Sequence, residues 1–100
     1  MISQFDVVSD NAENYYIVIS NNLVNGNSSK IWSMPIKKTP KEYVTDITLF
    51  TKRSKMVGVI DTTLIKTLDL NVVELIVVDH AQPRVHNLII EAIEAHTEIL

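Results

Sequence analysis

The stretch formed by residues 15–36 constrains the fold of this chain more than any other part of the sequence. It begins at 15–19 with five β-branched or aromatic residues that include no Gly, Pro or charge, which is typical of a buried strand. The Ser-Asn-Asn sequence at 20–22 is expected to end this strand, because such side chains bond to nearby backbone groups. Asn25-Gly26 tolerates positive φ, so the chain is expected to reverse direction there within a long polar loop.

A second strand is predicted at residues 31–34, and Pro35 is expected to end its pairing because proline has no amide hydrogen to donate. Gly58 is expected to mark a bulge or a close backbone approach. The Thr-Pro-Lys-Glu sequence at 39–42 has the spacing of a helix N-terminus, but the β-branched residues that follow allow one helical turn at most. Further strands are predicted from the apolar runs at 5–8, 43–50, 56–60, 64–69 and 72–78.

The clearest single element is a C-terminal helix. Pro83 suits its first turn, and Asp79 or Gln82 is expected to cap it. Apolar side chains recur at helical spacing, with charged side chains opposite them, and Ile90 widens the stripe. This pattern predicts a helix that packs on a sheet. The members of the stripe are Val85, Leu88, Ile89, Ala92, Ile93 and His96.

The composition is that of one small domain without covalent cross-links. One hundred residues, 46% of them hydrophobic, are enough for a single core over 1–100. A domain of this size buries only about two-thirds of its unfolded surface, so we expect a homodimer. The absence of cysteine excludes disulfides and thiolate metal sites, and no metal or cofactor is expected. The first residues lack the features of a signal peptide and no apolar run approaches the roughly 20 residues of a membrane span, so we expect a cytoplasmic protein without membrane contact.

The net charge of −3 conceals a basic middle segment. Residues 30–55 contain seven Lys or Arg and two acids, a net charge of +5, whereas residues 1–29 carry −3 and residues 56–100 carry −5. Because Lys and Arg supply most sequence-independent affinity for nucleic acids, this segment predicts binding of RNA or single-stranded DNA, with a solvated loop face as the alternative. The candidate binding residues are Lys30, Lys37, Lys38, Lys41, Lys52, Arg53 and Lys55, and the candidate stacking side chains, with core positions as their alternative, are Trp32, Tyr15 and Tyr16.

These features together resemble the PemK/MazF-like toxins of bacterial toxin–antitoxin systems, which are relatives in fold of the gyrase poison CcdB. That family has Arg-Pro, an apolar strand, Ser-Asn, a loop with Asn, a second strand and Pro-Ile-Thr. Residues 16–19 match the strand, and Pro35-Ile36 match the start of the closing triplet. Ser20, Asn21 and Asn25 match the polar loop positions. The resemblance spans most of the chain and implies a mainly β fold with a C-terminal helix. The sheet of this fold is expected to be small, antiparallel and strongly twisted, forming an SH3-like, partly open barrel.

Two departures from the family pattern bear on chemistry. The family's Arg, which takes part in RNA cleavage, falls on Asn14, and the Thr of the closing triplet falls on Lys37. The resemblance therefore implies a toxin-type growth inhibitor with weak or lost RNA cleavage. An active ribosome-independent endoribonuclease and a non-catalytic module that binds a protein or a nucleic acid are the alternatives. The family further implies a homodimer, with a cognate antitoxin peptide and RNA as partners.

If the chain is an enzyme, three residues are candidates for the missing chemistry. Lys37 or Lys66 would replace the family's Arg, because residues 64–69 match a family passage in which Arg stands at the position of Lys66. Asp61 would act as general base, with a hydrogen-bonded Asp at a strand end as the simpler interpretation. Aligning Asp61 with the family's acid shifts this passage by two residues, and both alignments remain open.

The three histidines predict no metal site. His80, His86 and His96 do not have the i,i+3 or i,i+4 spacing that a helical pair of metal ligands needs. We interpret them as surface or capping residues.

Overall fold

The computed structural model describes residues 2–54 and 56–99. Within these ranges the chain forms seven strands and two helices: β1 (Asp6–Ser9), β2 (Tyr15–Val18), α1 (Asn22–Asn27), β3 (Lys30–Lys37), β4 (Ile47–Thr48), β5 (Val59–Ile60), β6 (Lys66–Asp69), β7 (Ile76–His80) and α2 (Pro83–Thr97). The strands form one antiparallel sheet in the order β4-β5-β3-β2-β1-β7, and β6 also pairs with β3. The curled, half-barrel sheet and the C-terminal helix confirm the predicted fold class. Neither helix in these ranges has the length and apolar character needed to cross a bilayer.

β3 is the centre of the sheet. β2 pairs along one of its sides, and on the other side β6 pairs with residues 30–33 and β5 with residues 36–37. The prediction that pairing ends at Pro35 is therefore wrong. Pro35 is tolerated because it lies between the parts of β3 that pair with β6 and with β5. Its carbonyl accepts a hydrogen bond from the Asp61 amide at 3.0 Å.

The predicted polar loop between β2 and β3 contains the short helix α1. The side chain of Asn21 caps this helix by accepting a hydrogen bond from the Val24 amide at 3.0 Å. Asn25 is buried and bonds to both the hydroxyl and the carbonyl of Ser20. The chain reverses direction here, since β2 and β3 are antiparallel, but Gly26 lies within the helix without positive φ, so the reversal passes through α1 and not through an Asn-Gly turn. The cap satisfies a backbone donor of the first turn, and this outweighs the local turn preference of Asn-Gly.

The strands predicted after β3 are shorter or shifted. In the described part of the chain, only β4 forms within the run 43–50 and only β5 within the run 56–60. The strand predicted over 72–78 begins later, at Ile76. The helical turn predicted at 39–42 does not form.

Asp46 and Gly58 shape the irregular segment between β3 and β5. The buried Asp46 carboxylate accepts hydrogen bonds from the amides of Glu42 and Tyr43 at 3.0 and 3.1 Å. It therefore occupies donors that a regular strand would pair. Gly58 lies against β3, where an added Cβ would be 2.7 Å from Ile36 Cγ2, and this confirms the predicted close approach.

Helix α2 packs on one face of the sheet, as its apolar stripe predicts. Val85 and Ile89 are fully buried in a core cluster that includes Ile17 of β2. Gln82 occupies the cap position but makes no side-chain capping bond, and its Nε2 donates instead to the Thr51 carbonyl at 3.0 Å. The other face of the sheet buries a smaller cluster, Val8, Tyr16, Val18, Ile31 and Leu68.

Candidate nucleic-acid interface

A groove of about 350 Å³ lies where β2 begins and β3 ends. Its polar lining comprises Glu13, Asn14, Tyr16, Lys38 and Lys66, and we call it the lysine groove. Both lysine residues are exposed. The fold therefore places Asn14, the residue aligned with the family's Arg, beside two cations from different parts of the chain.

Each lysine of the lysine groove lies over a tyrosine ring. Lys38 Nζ is 5.2 Å from the centroid of the Tyr15 ring, and Lys66 Nζ is 5.4 Å from that of Tyr16. Lys66 also donates a hydrogen bond to the Tyr16 hydroxyl at 3.4 Å. A cation–π contact positions an ammonium group without neutralising its charge. Both lysines therefore present positive charge to a ligand in the groove.

Asn14 is fixed by Asp10 in the turn before β2. Asp10 Oδ1 accepts hydrogen bonds from the amides of Ala12 and Asn14, both at 2.9 Å, and Asn14 Nδ2 donates to Asp10 Oδ2 at 3.1 Å. The backbone hydrogen bond from Asn14 is the main reason that the pKa of Asp10 lies below its ordinary value. Asn14 thus adds no positive charge to the lysine groove, and its side-chain amide already has a partner.

Lys37, the last residue of β3, forms an ion pair with Asp46. Its Nζ lies 3.0 Å from Asp46 Oδ2 and 5.1 Å from the centroid of the Tyr43 ring. The hydrogen bond to Asp46 is the main cause that raises the pKa of Lys37. Burial alone would raise the pKa of Asp46, but hydrogen bonds from the Glu42 amide, Lys37 and the Tyr43 amide outweigh it and lower that pKa. The charge of Lys37 is therefore already engaged within the protein.

Asp61 follows β5 and lies next to β3. Its Oδ1 accepts hydrogen bonds from the amide and the hydroxyl of Thr63, at 3.0 and 2.6 Å. Its own amide donates to the carbonyl of Pro35, a residue that lines the lysine groove. Asp61 therefore lies near the groove, with its carboxylate engaged in a local turn.

The other candidate cations lie apart from the lysine groove. Lys30 stands at the opposite end of β3 from Lys37, roughly 23 Å away at the rise of an antiparallel strand. Lys41 lines a separate groove against α2. Lys55 lies outside the described residues. The cations of the basic segment at 30–55 therefore lie at several separate places on the fold and do not form one continuous surface.

Lys52 and Arg53 lie beside the end of β7. The Lys52 amide donates to the His80 carbonyl at 2.8 Å, and the Arg53 amide donates to Asp79 Oδ1 at 3.1 Å. These bonds fix the backbone of both residues against the edge of the sheet.

The aromatic candidates divide between the core and the surface. Tyr16 is buried and Tyr15 is half-buried against the core. Trp32 is 56% exposed and lines an apolar groove of about 510 Å³ with Val24 and Ile65.

The structure contains a histidine–carboxylate pair that the sequence analysis did not predict. His80 Nδ1 bonds to Asp6 Oδ1 across 74 residues of sequence, because the register of β1 and β7 places these residues opposite each other. No local spacing signals such a pair. His86 stacks on Phe5, with ring centroids 4.1 Å apart. The described residues contain no group of three or more side chains arranged to hold a metal ion.

The fold of the chain is similar to that of solved MazF and MazE-MazF structures. A crystal structure of MazF from Deinococcus radiodurans matches with a TM-score of 0.83 and 16% identity, over 95% of this chain and 94% of that chain. This chain has the MazF fold. A crystal structure of MazE-MazF from the same organism matches with a TM-score of 0.86 and 17% identity, over 99% of this chain and 97% of that chain. An endoribonuclease in complex with its cognate antitoxin, from a Mycobacterial species, matches with a TM-score of 0.84 and 14% identity over the full length of both chains.

The MazF fold confirms the architecture that the resemblance to PemK/MazF-like toxins implied. No protein-family model matches this sequence, and no curated protein matches it by sequence comparison. Backbone similarity at identities of 14–17% does not transfer side-chain roles. Function is therefore argued from the side chains of this chain.

Proposed function

We propose that this protein is a MazF-like growth inhibitor of a toxin–antitoxin system that binds RNA and cleaves it weakly or not at all. The observation that supports this proposal best is the lysine groove. It combines Lys38 and Lys66 with tyrosine rings but has the neutral Asn14 at the position of the family's Arg. The fold and the groove favour RNA binding, and the absence of positive charge at Asn14 disfavours rapid cleavage.

The chemistry of the lysine groove suits a single strand of RNA. Ammonium groups contact phosphates without reading sequence, and exposed aromatic rings stack on unpaired bases. Lys38 and Lys66 supply the first kind of contact, and the half-buried Tyr15 supplies a ring at the groove wall. We therefore propose that affinity is mainly electrostatic.

The proposed partner is an antitoxin with an acidic, disordered segment. The solved structures with this fold include a MazE-MazF complex and an endoribonuclease bound to its cognate antitoxin. An acidic peptide would complement Lys38 and Lys66 and would compete with RNA for them. We place this system in the cytoplasm, where its proposed RNA ligand is found.

Replacing Lys38 and Lys66 together by Glu is expected to abolish most RNA binding. Each phosphate contact to a single strand contributes about 0.7 to the slope of log affinity against log salt concentration. Loss of two contacts therefore lowers that slope by about 1.4 and lowers affinity at low salt. The measurement is fluorescence anisotropy of a labelled single-stranded RNA in a salt series.

The matched control is a Lys30→Glu, Lys41→Glu double variant, which changes net charge equally but lies outside the lysine groove. Unchanged binding by the Lys38→Glu, Lys66→Glu variant, or an equal loss in the control, would contradict the assignment of RNA to this groove. Expression of the same variants tests the toxin role, since growth arrest by the parent and the control, but not by the groove variant, is expected.

A homodimer is also part of the proposal. Leu88 and Ile90 on α2 are 46% and 44% exposed, and Ile76 and Val77 on the edge strand β7 are 62% and 38% exposed. A second copy would cover such apolar surface. Sedimentation at tens of micromolar, on the order of a weak transient interface, is expected to show a dimer. A monomer alone under these conditions would count against it.

A second candidate function is binding of a protein partner without RNA chemistry. The apolar groove beside Trp32 favours it, because exposed tryptophan is enriched where proteins bind one another. Growth arrest that survives the Lys38→Glu, Lys66→Glu change but is lost on Trp32→Ser would select this candidate.

A further inference from the structure

The Asn25-Gly26 dipeptide, which the proposed function does not use, lies inside α1. Among the six residues of α1, all of which the structure describes, Asn25 is the one that is buried, with 8% exposure. Leu23 and Val24 of the same helix are 75% and 40% exposed. The side chain of Asn25 is therefore the buried attachment of α1 to the rest of the protein.

Two hydrogen bonds with Ser20 hold the side-chain amide of Asn25. Asn25 Oδ1 accepts a hydrogen bond from Ser20 Oγ, and Asn25 Nδ2 donates one to the Ser20 carbonyl at 2.8 Å. Ser20 Oγ in turn accepts a hydrogen bond from the Trp32 amide of β3 at 3.1 Å. A carboxylamide suits this position because it offers one acceptor and one donor, whereas a carboxylate offers acceptors only.

Asn-Gly is a reactive dipeptide wherever the backbone is free to move. The amide nitrogen that follows an Asn can attack the Asn side-chain carbon Cγ, and a glycine leaves that nitrogen unshielded and its backbone mobile. In α1, the helical ψ of Asn25 directs the Gly26 nitrogen away from the geometry of a five-membered ring, and Gly26 has no positive φ. The hydrogen bonds with Ser20 also restrain Cγ. The folded chain therefore protects this dipeptide from its own chemistry.

We propose that Asn25 is a deamidation site that the fold protects, and that its reaction permanently opens α1. In a chain whose α1 is open, the Gly26 nitrogen gives its proton to solvent and bonds to Asn25 Cγ. The bond from Cγ to the side-chain nitrogen breaks, and this nitrogen takes a proton from solvent and leaves as ammonia. Water then adds to one of the two carbonyls of the succinimide ring. Opening of the ring at Cγ gives Asp, and opening at the backbone carbonyl gives isoaspartate.

Neither product restores the native contacts. Asp at position 25 would place a carboxylate oxygen against the Ser20 carbonyl, where Nδ2 now donates at 2.8 Å. Two acceptors repel each other there, and a buried carboxylate with an unmatched oxygen is more costly than the neutral amide. Isoaspartate adds a carbon to the main chain after residue 25, so residues 26–27 lose their helical register.

The modification alters one surface of the protein and spares the other. Asn21, the cap of α1, and Val24 line the apolar groove beside Trp32. Opening of α1 removes this wall, whereas no residue lines both this groove and the lysine groove. Deamidation thus leaves a permanent mark on chains in which α1 has opened, and it does so whether or not the chain binds RNA.

The test of protection compares deamidation of the parent in native buffer and in urea at the same mildly alkaline pH. Mass spectrometry of the peptide that contains residues 25–26 measures the rate, and chromatography separates the Asp and isoaspartate products. The native chain is expected to react at least about tenfold more slowly, because only the fraction of molecules with an open α1 can react. This comparison uses the parent alone and so does not depend on the folding of a variant.

Variants of the two flanking residues separate the chemistry from its protection. Gly26→Ala is expected to lose most of the reaction in urea because its methyl group shields the nitrogen, and alanine fits the helix at this position. Ser20→Ala is expected to raise the native rate toward the rate in urea and to leave the rate in urea unchanged. Ser20→Thr keeps the hydroxyl and is expected to restore protection.

Hydrogen exchange tests the opening of α1. The Asn25 amide donates to the Asn21 carbonyl at 3.0 Å in the parent. In Asn25→Asp, the amide of residue 25 is expected to exchange at least about tenfold faster, because α1 is open in more molecules. Asn27→Asp is the matched control, since it makes the same charge change at an exposed residue of α1, and it is expected to exchange like the parent.

Three results would overturn the proposal. Equal rates of deamidation in native buffer and in urea would show that the fold does not protect Asn25. Absence of the reaction in urea would show that the dipeptide is not reactive. Exchange in Asn25→Asp no faster than in Asn27→Asp would show that the modification does not open α1.

Discussion

Purified protein incubated with a long RNA of mixed sequence, without ribosomes, is expected to cleave it weakly or not at all. Cleavage requires a group that removes the 2′-hydroxyl proton, a proton donor for the leaving oxygen and positive charge near the phosphorane. The resemblance to MazF-like toxins implies that an Arg and a Thr supply much of this chemistry. Here the corresponding positions are Asn14 and Lys37.

The structure strengthens this expectation at both positions. Asn14 is neutral and donates to Asp10, so it cannot imitate the forked, permanently charged guanidinium of Arg. Lys37 has no hydroxyl, and its ammonium is engaged by Asp46 at 3.0 Å. Removing one stabilising group typically lowers a rate by about 10² to 10³, and two are missing here.

The test compares the parent with Lys37→Ala and Asp61→Asn on the same RNA. Any residual cleavage is expected to persist in both variants, since both side chains are engaged in internal hydrogen bonds. Robust, site-specific cutting by the parent that either variant abolishes would refute this expectation and restore a ribonuclease that uses Lys37 or Asp61.

Replacing Ile17 by Ala is expected to lower the free energy of unfolding by about 2–5 kcal/mol. Ile17 is fully buried on β2, in the core cluster that also contains Val85 and Ile89 of α2. The truncation loses apolar burial and leaves a cavity between the sheet and the helix. Since a chain of this size has a total stability of about 5–15 kcal/mol, the loss is a large fraction of the whole.

Urea unfolding followed by circular dichroism measures this change. Val44→Ala is the matched control, because Val44 is 97% exposed and its truncation is expected to stay within about 0.5 kcal/mol of the parent. If Ile17→Ala does not fold, Ile17→Val provides a graded version with an expected cost of about 0.5–1.5 kcal/mol. A change at Ile17 no larger than that at Val44 would show that this core position is misassigned.

The elements that the sequence predicted well are those specified by local patterns. Helix α2 follows from an apolar stripe at helical spacing, and β2 follows from an unbroken β-branched and aromatic run. Local patterns failed where a side chain bonded to the backbone. The Asn21 side chain caps α1 where a loop was expected. The Asp46 carboxylate accepts hydrogen bonds from two amides that a regular strand would have paired.

The candidate site was predicted only in part, because charge along a sequence does not show which charges share a surface. Lys38 and Lys66 come from distant parts of the chain and line one groove, whereas Lys37 is engaged by Asp46. The pair formed by Asp6 and His80 depends on the pairing of the first and last strands. Such contacts between distant residues have no local signature in one sequence.

The position of β1 between β2 and β7 determines when this edge of the sheet can form in a newly synthesised chain. β1 pairs on one side with a strand that follows closely in sequence and on the other with a strand 74 residues away at Asp6 and His80. Closing so long a loop precedes the contacts that compensate its entropy, so this edge of the sheet forms late. A ribosome must therefore release the chain beyond His80 before β1 can pair with β7 and Asp6 can meet His80. A growing chain that still lacks β7 leaves β1 as an unpaired edge of the sheet, and such an edge can pair with a strand of another chain.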